Sequence, residues 1–270
     1  MLVRIWALGT WLIVLTGCAQ QPVTTPAADT GGAAQGIDES TIERTTNTQV
    51  LVDKQPIRID NPYGDVRVRF GGYESTLEWR TVAQNAAATH KIAVSGDSQT
   101  SFVVSARLPE GVALAADQRI EITAYVPSGH DLDILTEHGL IEVRGVQANV
   151  RARSATGNIA FRGIVGLVDV ETGAGNIEGQ INPVAAGSRQ HVGSGTGNIV
   201  LGLVDNLNAT LLLATSGVIA TEFSVDIDSQ PGQEPNKTAR AVIGKPESDI
   251  EVVSKRGEIR LLRRLEFRPA

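Results

Sequence analysis

Two glutamates, Glu142 and Glu178, occupy the same place in two copies of a repeated segment. If the copies stack as strands with one copy between, the two backbones lie about 9.5 Å apart, a separation that suits an inverting glycosidase. The copy between them puts Ala160 in that column, and no third polar group is forced close. The surroundings read as electrostatic instead: Asp169 and Glu171 fall beside Arg151 and Arg153 of the preceding copy. Exposed pairs of that kind contribute about 0 to 1 kcal/mol each and are common on solvated faces. Asn158, Asn176 and Asn198 form a second column. It is either a polar binding strip or an asparagine ladder whose amides bond one another and the turn backbone, and the ladder is the expectation. His90, His130, His138 and His191 have no metal-ligand spacing, and there is no nucleophile elbow, phosphate loop or dinucleotide fingerprint. The expectation is thus no catalytic residue, no metal and no cofactor.

Cys18 is the only cysteine in 270 residues, so no disulfide within the chain is possible. It follows one basic residue, Arg4, an apolar run from Ile5 to Leu15, and the small residues Thr16 and Gly17. A run this short is a signal-peptide core, since a spanning helix wants about 20 apolar residues. The pattern resembles a bacterial lipoprotein signal, with residues 1–17 removed and Cys18 carrying acyl chains such as palmitate. Several chains, at about 0.8 kcal/mol per buried methylene, would hold the protein on a membrane. Residues 18–44 then read as a tether, because Ala19 to Gly36 has one charge and Val23 as its only large aliphatic residue. Ala19 directly after the cysteine resembles the pattern for the outer membrane of a Gram-negative cell.

The elements that position these residues are set by repetition. Copies begin at Ile57, Leu132, Val150, Val168, Gln190, Thr210 and Ile250. They read as two alternating apolar residues, a Ser or Thr (Asn61 in the first copy), a glycine about three places on, then an Ile or Val. The glycines are Gly64, Gly139, Gly157, Gly175, Gly197, Gly217 and Gly257; the column two places later is Val66, Ile141, Ile159, Ile177, Ile199, Ile219 and Ile259. The alternate positions that should point inward are apolar in every copy except at Gly179, Gln190, Thr210 and Thr221. A regular step of about 18 to 22 residues predicts stacked rungs, with identical side chains interdigitating about 4.8 Å apart. The glycines are expected to serve a tight turn that needs positive φ. The longer step from Gly217 to Gly257 reads as two rungs, one degenerate.

Before the regular copies, residues 45–131 read as an antiparallel β-meander. Strands are expected at Gln49 to Lys54, Ile57 to Asp60, Asp65 to Phe70, Thr76 to Gln84, Lys91 to Ser95, Ser101 to Arg107 and Arg119 to Val126. Residues 132–270 are the rungs and a C-terminal cap, to which Leu265 and Phe267 contribute. Between Thr221 and Ile250 the pattern lapses into DSQPGQEPNKT, which reads as a projecting loop across 226–241. The fold class is all-β: a meander leading into a β-solenoid.

The run from Ile57 through Leu261 resembles the bacterial putative-adhesin family of unknown function. IRIDNPYGDVRV, YVPSGHDLDILTEHGLIEV and the turns SATGNIAF, TGAGNIEG, SGTGNIVL and SKRGEIRL carry the likeness. It implies a β-solenoid domain of exported or envelope type, and brings no catalytic residues. Partners follow from these readings: a membrane through lipid on Cys18, and an envelope polysaccharide or protein along the repeated surface. A net charge of −6 and export argue against nucleic acid. The basic run from Lys255 to Arg268 could touch anionic headgroups, although such runs are more often a soluble surface. Two other readings stand beside the binding surface: a structural or signalling envelope component, and a carbohydrate-active enzyme.

Overall fold

The structure is a computed structural model and describes residues 42–73, 75–84, 90–98 and 100–263. The signal sequence, Cys18, residues 18–41 of the tether, Leu265 and Phe267 lie outside the described residues. Strands β1 (Ile42–Val50), β2 (Ile57–Asn61), β3 (Val66–Phe70), β4 (Thr76–Gln84), β5 (Ala93–Ser98), β6 (Phe102–Arg107) and β7 (Arg119–Val126) come first. Next come β8 (Leu132–Thr136), β9 (Ile141–Arg144), β10 (Val150–Ser154), β11 (Ile159–Arg162), β12 (Val168–Thr172), β13 (Ile177–Ile181), β14 (Arg189–Ser194) and β15 (Ile199–Leu203). The chain closes with β16 (Ala209–Thr215), β17 (Ile219–Thr221), β18 (Asp226–Ser229), β19 (Lys237–Ile243), β20 (Ser248–Ser254) and β21 (Ile259–Leu262).

These strands form two open, mixed sheets. The first runs β1-β4-β7-β3-β9-β11-β13-β15-β21-β17 and the second β18-β19-β16-β20-β14-β12-β10-β8-β2-β6-β5. Each repeated segment therefore gives one strand to each sheet, and its neighbours lie parallel and in register. The register aligns Val66 with Ile141, then Ile159, Ile177, Ile199, Ile259 and Ile219. All but Ile219 are buried, so the aliphatic column expected from the repeats is the spine of the core. Gly179 breaks the apolar pattern because the ring of Phe161 on the adjacent strand occupies the space its side chain would take. Gln190 is buried and donates from Nε2 to the Asn182 carbonyl at 3.4 Å.

The order of strands in space departs from their order in the chain at both ends. At the N-terminal end β2 and β3 already belong to the parallel array, β2 lying between β6 and β8 and β3 between β7 and β9. The expected antiparallel meander over 45–131 is thus limited to the outer strands: β1 on β4, β4 on β7 and β5 on β6. Antiparallel strands here close the open edges of a parallel array. Strand β1 also starts earlier than expected and includes residues 42–44 of the predicted tether. Its sequence IERTTNTQV is mostly exposed and lacks alternation, so pairing with β4, and not burial, makes it a strand.

At the C-terminal end the step from Gly217 to Gly257 hides no degenerate copy. Residues 204–208 carry the chain past one vacant layer to β16, and β20 later fills it, parallel to β14 on one side and β16 on the other. The expected loop at 226–241 is instead the hairpin β18–β19, whose second strand covers the edge of β16 antiparallel. Register in β16 also differs from the sequence reading. Leu211 and Leu213 are buried whereas Leu212 is 43% exposed, because Thr215 stands two residues before Gly217 where other copies have three. Removing one residue from a turn moves every side chain of the strand to the opposite face.

Candidate binding surface

In every copy after the first, which has Asn61, the turn joining the two strands is built from the Ser or Thr and the glycine. Ser154 Oγ accepts from Gly157 N at 2.8 Å, and Thr172 Oγ1 donates to the Gly157 carbonyl at 2.8 Å. Thr172 accepts in turn from Gly175 N at 3.1 Å, and Ser194 donates to the Gly175 carbonyl at 2.9 Å. The relay continues through Gly197 to Ser254, then through Gly257 to Thr215. These hydroxyls are buried, and Thr172, Ser194, Ser254 and Thr215 each satisfy a backbone donor in their own layer and a glycine carbonyl in the adjacent one. The residue pattern disclosed the column but not this function.

Close packing of the layers dictates the glycines. A Cβ at Gly139, Gly157, Gly175, Gly197, Gly257 or Gly217 would fall inside the carbonyl oxygen of the glycine one layer back. A Cβ at Gly64 would meet the Ile120 carbonyl in the same way. The expectation of positive φ at these positions is corrected: positive φ belongs to other glycines, among them Gly145 (71°) and Gly163 (63°) in the opposite turns. Sequence pattern alone does not separate steric from torsional need for glycine.

The asparagines form a ladder to the backbone. Asn158 Oδ1 accepts from Asn176 N, Asn176 Oδ1 from Asn198 N, and Asn198 Oδ1 from Glu258 N, each at 2.8 Å. Asp65 does the same for Leu140 N at 3.0 Å. With their oxygens used in this way, the amides hold the turn together.

Glu142 and Glu178 do share a column, with Ala160 between them. Their environments differ, however. Glu142 is buried to 8% exposure, accepts from Arg69 at 2.6 Å and also pairs with Arg144. Burial alone would raise its pKa, but the Arg69 hydrogen bond and the two guanidinium charges outweigh that and hold it below the ordinary carboxylate value. A glycosidase acid needs the opposite shift. Glu142 instead ties β9 to β3.

On the outer face of the second sheet, one column reads Arg58, Asp133, Arg151, Asp169, His191, Glu251 across adjacent strands. From Arg58 to Asp169 charges alternate in sign, as cross-strand pairing favours. Arg58 reaches Asp133 at 3.7 Å, Arg151 reaches Asp169 at 3.2 Å, and His191 reaches Glu251 at 3.4 Å. Arg153 joins Asp169 at 2.8 Å and Glu171 at 3.4 Å, so the expected Arg–acid neighbours meet. Burial would raise the pKa of Asp169, yet hydrogen bonds from Arg153 and Arg151 bring it below its ordinary value. The column continues from Glu251 to Leu212, Arg240 and Asp226.

No protein-family model matches the sequence, and no curated protein matches it. Solved structures do. A putative cell adhesion protein from Clostridium sporogenes is similar over 81% of this chain and 99% of its own, at 11% identity and a TM-score of 0.45. A putative adhesin from Bacteroides fragilis is similar over 82% of this chain and 97% of its own, at 11% identity and a TM-score of 0.40. A putative adhesin from Parabacteroides merdae has 14% identity, coverage of 82% and 96%, and a TM-score of 0.27.

The remaining site candidates are accounted for by local bonds. His130 Nδ1 lies 2.9 Å from the Gln55 carbonyl, and His138 Nδ1 lies 2.9 Å from Thr156 Oγ1. No group of three potential metal ligands occurs among the described residues. In the basic run, Arg256 pairs with Glu234 at 3.1 Å, Arg260 with Glu258 at 2.8 Å, and Arg263 lies over the Phe223 ring at 5.2 Å. Arg264 and Arg268 lie outside the described residues. Clefts on the second sheet's outer face include one of about 490 Å³ near Leu212 and one of about 340 Å³ near Asp133.

Proposed function

We propose that this is a non-catalytic envelope lipoprotein whose two sheets are the faces of a β-solenoid, presented for adhesin-like binding of an envelope polymer or protein. In this reading Cys18 carries the lipid and the residues after it give reach from the membrane, the outer membrane if the cell is Gram-negative. The observation that carries the reading is the outer face itself: side chains repeat in register across adjacent parallel strands. Such a face offers a ligand many weak contacts at fixed spacing, and tethering raises their effective concentration. The two guanidinium partners of Glu142 occupy its carboxylate as a link between β9 and β3, which supports binding over glycoside hydrolysis.

Protease shaving of intact cells expressing wild type or Cys18→Ala, with immunodetection in membrane and soluble fractions, tests the reading. Membrane release of Cys18→Ala and cleavage of the wild type on intact cells are the expected results. A Cys18→Ala chain that stays on the membrane refutes the anchor. Protection of the wild type until the envelope is opened moves the partner to the periplasm.

A further inference from the structure

The outer face of the second sheet changes character at β20. From Arg58 to Asp169 every charge in the central column has an opposite partner, Arg58 with Asp133 and Arg151 with Asp169. Beyond Glu251 the column turns to Leu212, and the neighbouring column is small and apolar: Gly193, Val253 and Ala214 on adjacent strands. Leu212 is 43% exposed although it stands mid-strand. Leu212, Val253 and Ala214 floor the cleft of about 490 Å³, a volume in the usual range for a ligand site.

The rim is acidic. Asp226 and Asp228 project from β18 and Glu251 from β20, against the single cation Arg240. Asp226, Asp228 and Arg240 enter none of the ion pairs among the described residues, whereas Glu251 is engaged with His191. An apolar floor with two unpaired carboxylates at its edge suits a side chain with an aliphatic stem and a cationic head: the stem covers Leu212 and Val253, and the head reaches the carboxylates. The backbone groups beneath are taken by strand pairing on both sides of β16, so recognition here works through side chains and not through strand addition.

We propose that this cleft binds an extended, lysine-bearing segment of a partner polypeptide. The proposal rests on the binding-surface reading above and narrows it to the C-terminal end of one face and to one ligand chemistry. Glycans are disfavoured by the lack of an aromatic side chain in the lining, and anionic polymers by the rim.

The test uses the full chain in neutral phosphatidylcholine vesicles and fluorescein-labelled octapeptides of alternating lysine and alanine or of alternating glutamate and alanine. Anisotropy should show saturable binding of the lysine peptide and none of the glutamate peptide. The double variant Asp226→Asn/Asp228→Asn should weaken it about tenfold, since both carboxylates that the ammonium reaches lose their charge. Leu212→Gln should weaken it several-fold, and Asp133→Asn, in the neutralised part of the column, should leave it unchanged. Equal losses in Asp133→Asn and the double variant, or binding of the glutamate peptide, would overturn the proposal. If isolated envelope polysaccharide binds the chain and the double variant does not alter it, this cleft is excluded while the broader binding reading survives. Binding to neither probe overturns the proposal, and binding of no envelope fraction at all overturns both.

Discussion

Replacing Ser194 by alanine isolates the energetic role of the hydroxyl relay. Its Oγ donates to the Gly175 carbonyl at 2.9 Å and accepts from Gly197 N at 2.9 Å, and the residue is 4% exposed. Alanine fits the same space, so the change in packing is small. What remains is one backbone donor and one acceptor, both buried and away from water. Each unsatisfied group costs about 1 to 3 kcal/mol, which gives a loss of about 2 to 4 kcal/mol for the pair after partial relaxation. Asn198→Ala removes one bond, to Glu258 N, but at an exposed site where water replaces it, and should cost about 0.5 to 1 kcal/mol. Urea unfolding of both variants, followed by circular dichroism, reads the difference. Hydrogen exchange at Gly197 reports whether opening is local, as stacked repeats allow. Ser194→Thr should be close to neutral, because Thr172 and Thr136 serve the same column. The reasoning fails if Ser194→Ala loses no more than Asn198→Ala, or if Ser194→Thr is as damaging as Ser194→Ala.

Gly157→Ala should destabilise more than Gly163→Ala, by urea midpoint. The first Cβ meets a carbonyl in the adjacent layer, while the second meets only ordinary contacts and bears a strained φ worth about 1 kcal/mol. Glu142→Gln should lower stability at pH 7 by about 1 to 2 kcal/mol by weakening the Arg69 and Arg144 contacts. The carboxyl's pKa is depressed on folding, so its contribution is present above the unfolded value near 4.5 and vanishes as pH falls through the folded value. Unfolding curves from pH 7 to pH 3 should therefore converge for wild type and Glu142→Gln at the acid end. Ending the chain after Gly244 removes β20 and β21 and should leave β16 to β19 sensitive to limited proteolysis while residues 57–203 stay protected. Equal protection throughout would show that β16 reseats on β14.

Much of the core was legible along the chain. Strand β7 at Arg119–Val126 and strand β4 at Thr76–Gln84 lie where alternation placed them, and the column from Val66 to Ile259 aligns as the repeats required. That is local physics: strand period and turn length decide which side chains face inward, and both are written in short stretches. Where one residue is missing, between Thr215 and Gly217, the same rule turned Leu212 outward, and a count from the glycine alone missed it. At the candidate surface, Arg151, Arg153, Asp169 and Glu171 were correctly placed as neighbours. Arg240 and Asp226 were not, because the hairpin β18–β19 carries no repeat signal.

The sequence by itself determined the period, the inward column, the asparagine column and the places where glycine is required. Only the tertiary structure decided why those glycines are required, what the buried hydroxyls bond, and which copy lies beside which. Copies of one pattern present similar edges, so local pattern cannot say that β20 stands between β14 and β16, or that β2 stands between β6 and β8. That choice belongs to contacts between distant segments. At one end the Asn208 side chain accepts from Lys245 N at 3.0 Å and the Asn208 carbonyl accepts from Ser248 Oγ, also at 3.0 Å; at the other His130 meets the Gln55 carbonyl. Each bridges a stretch of chain far longer than one repeat, and each exists only once the layers are assembled.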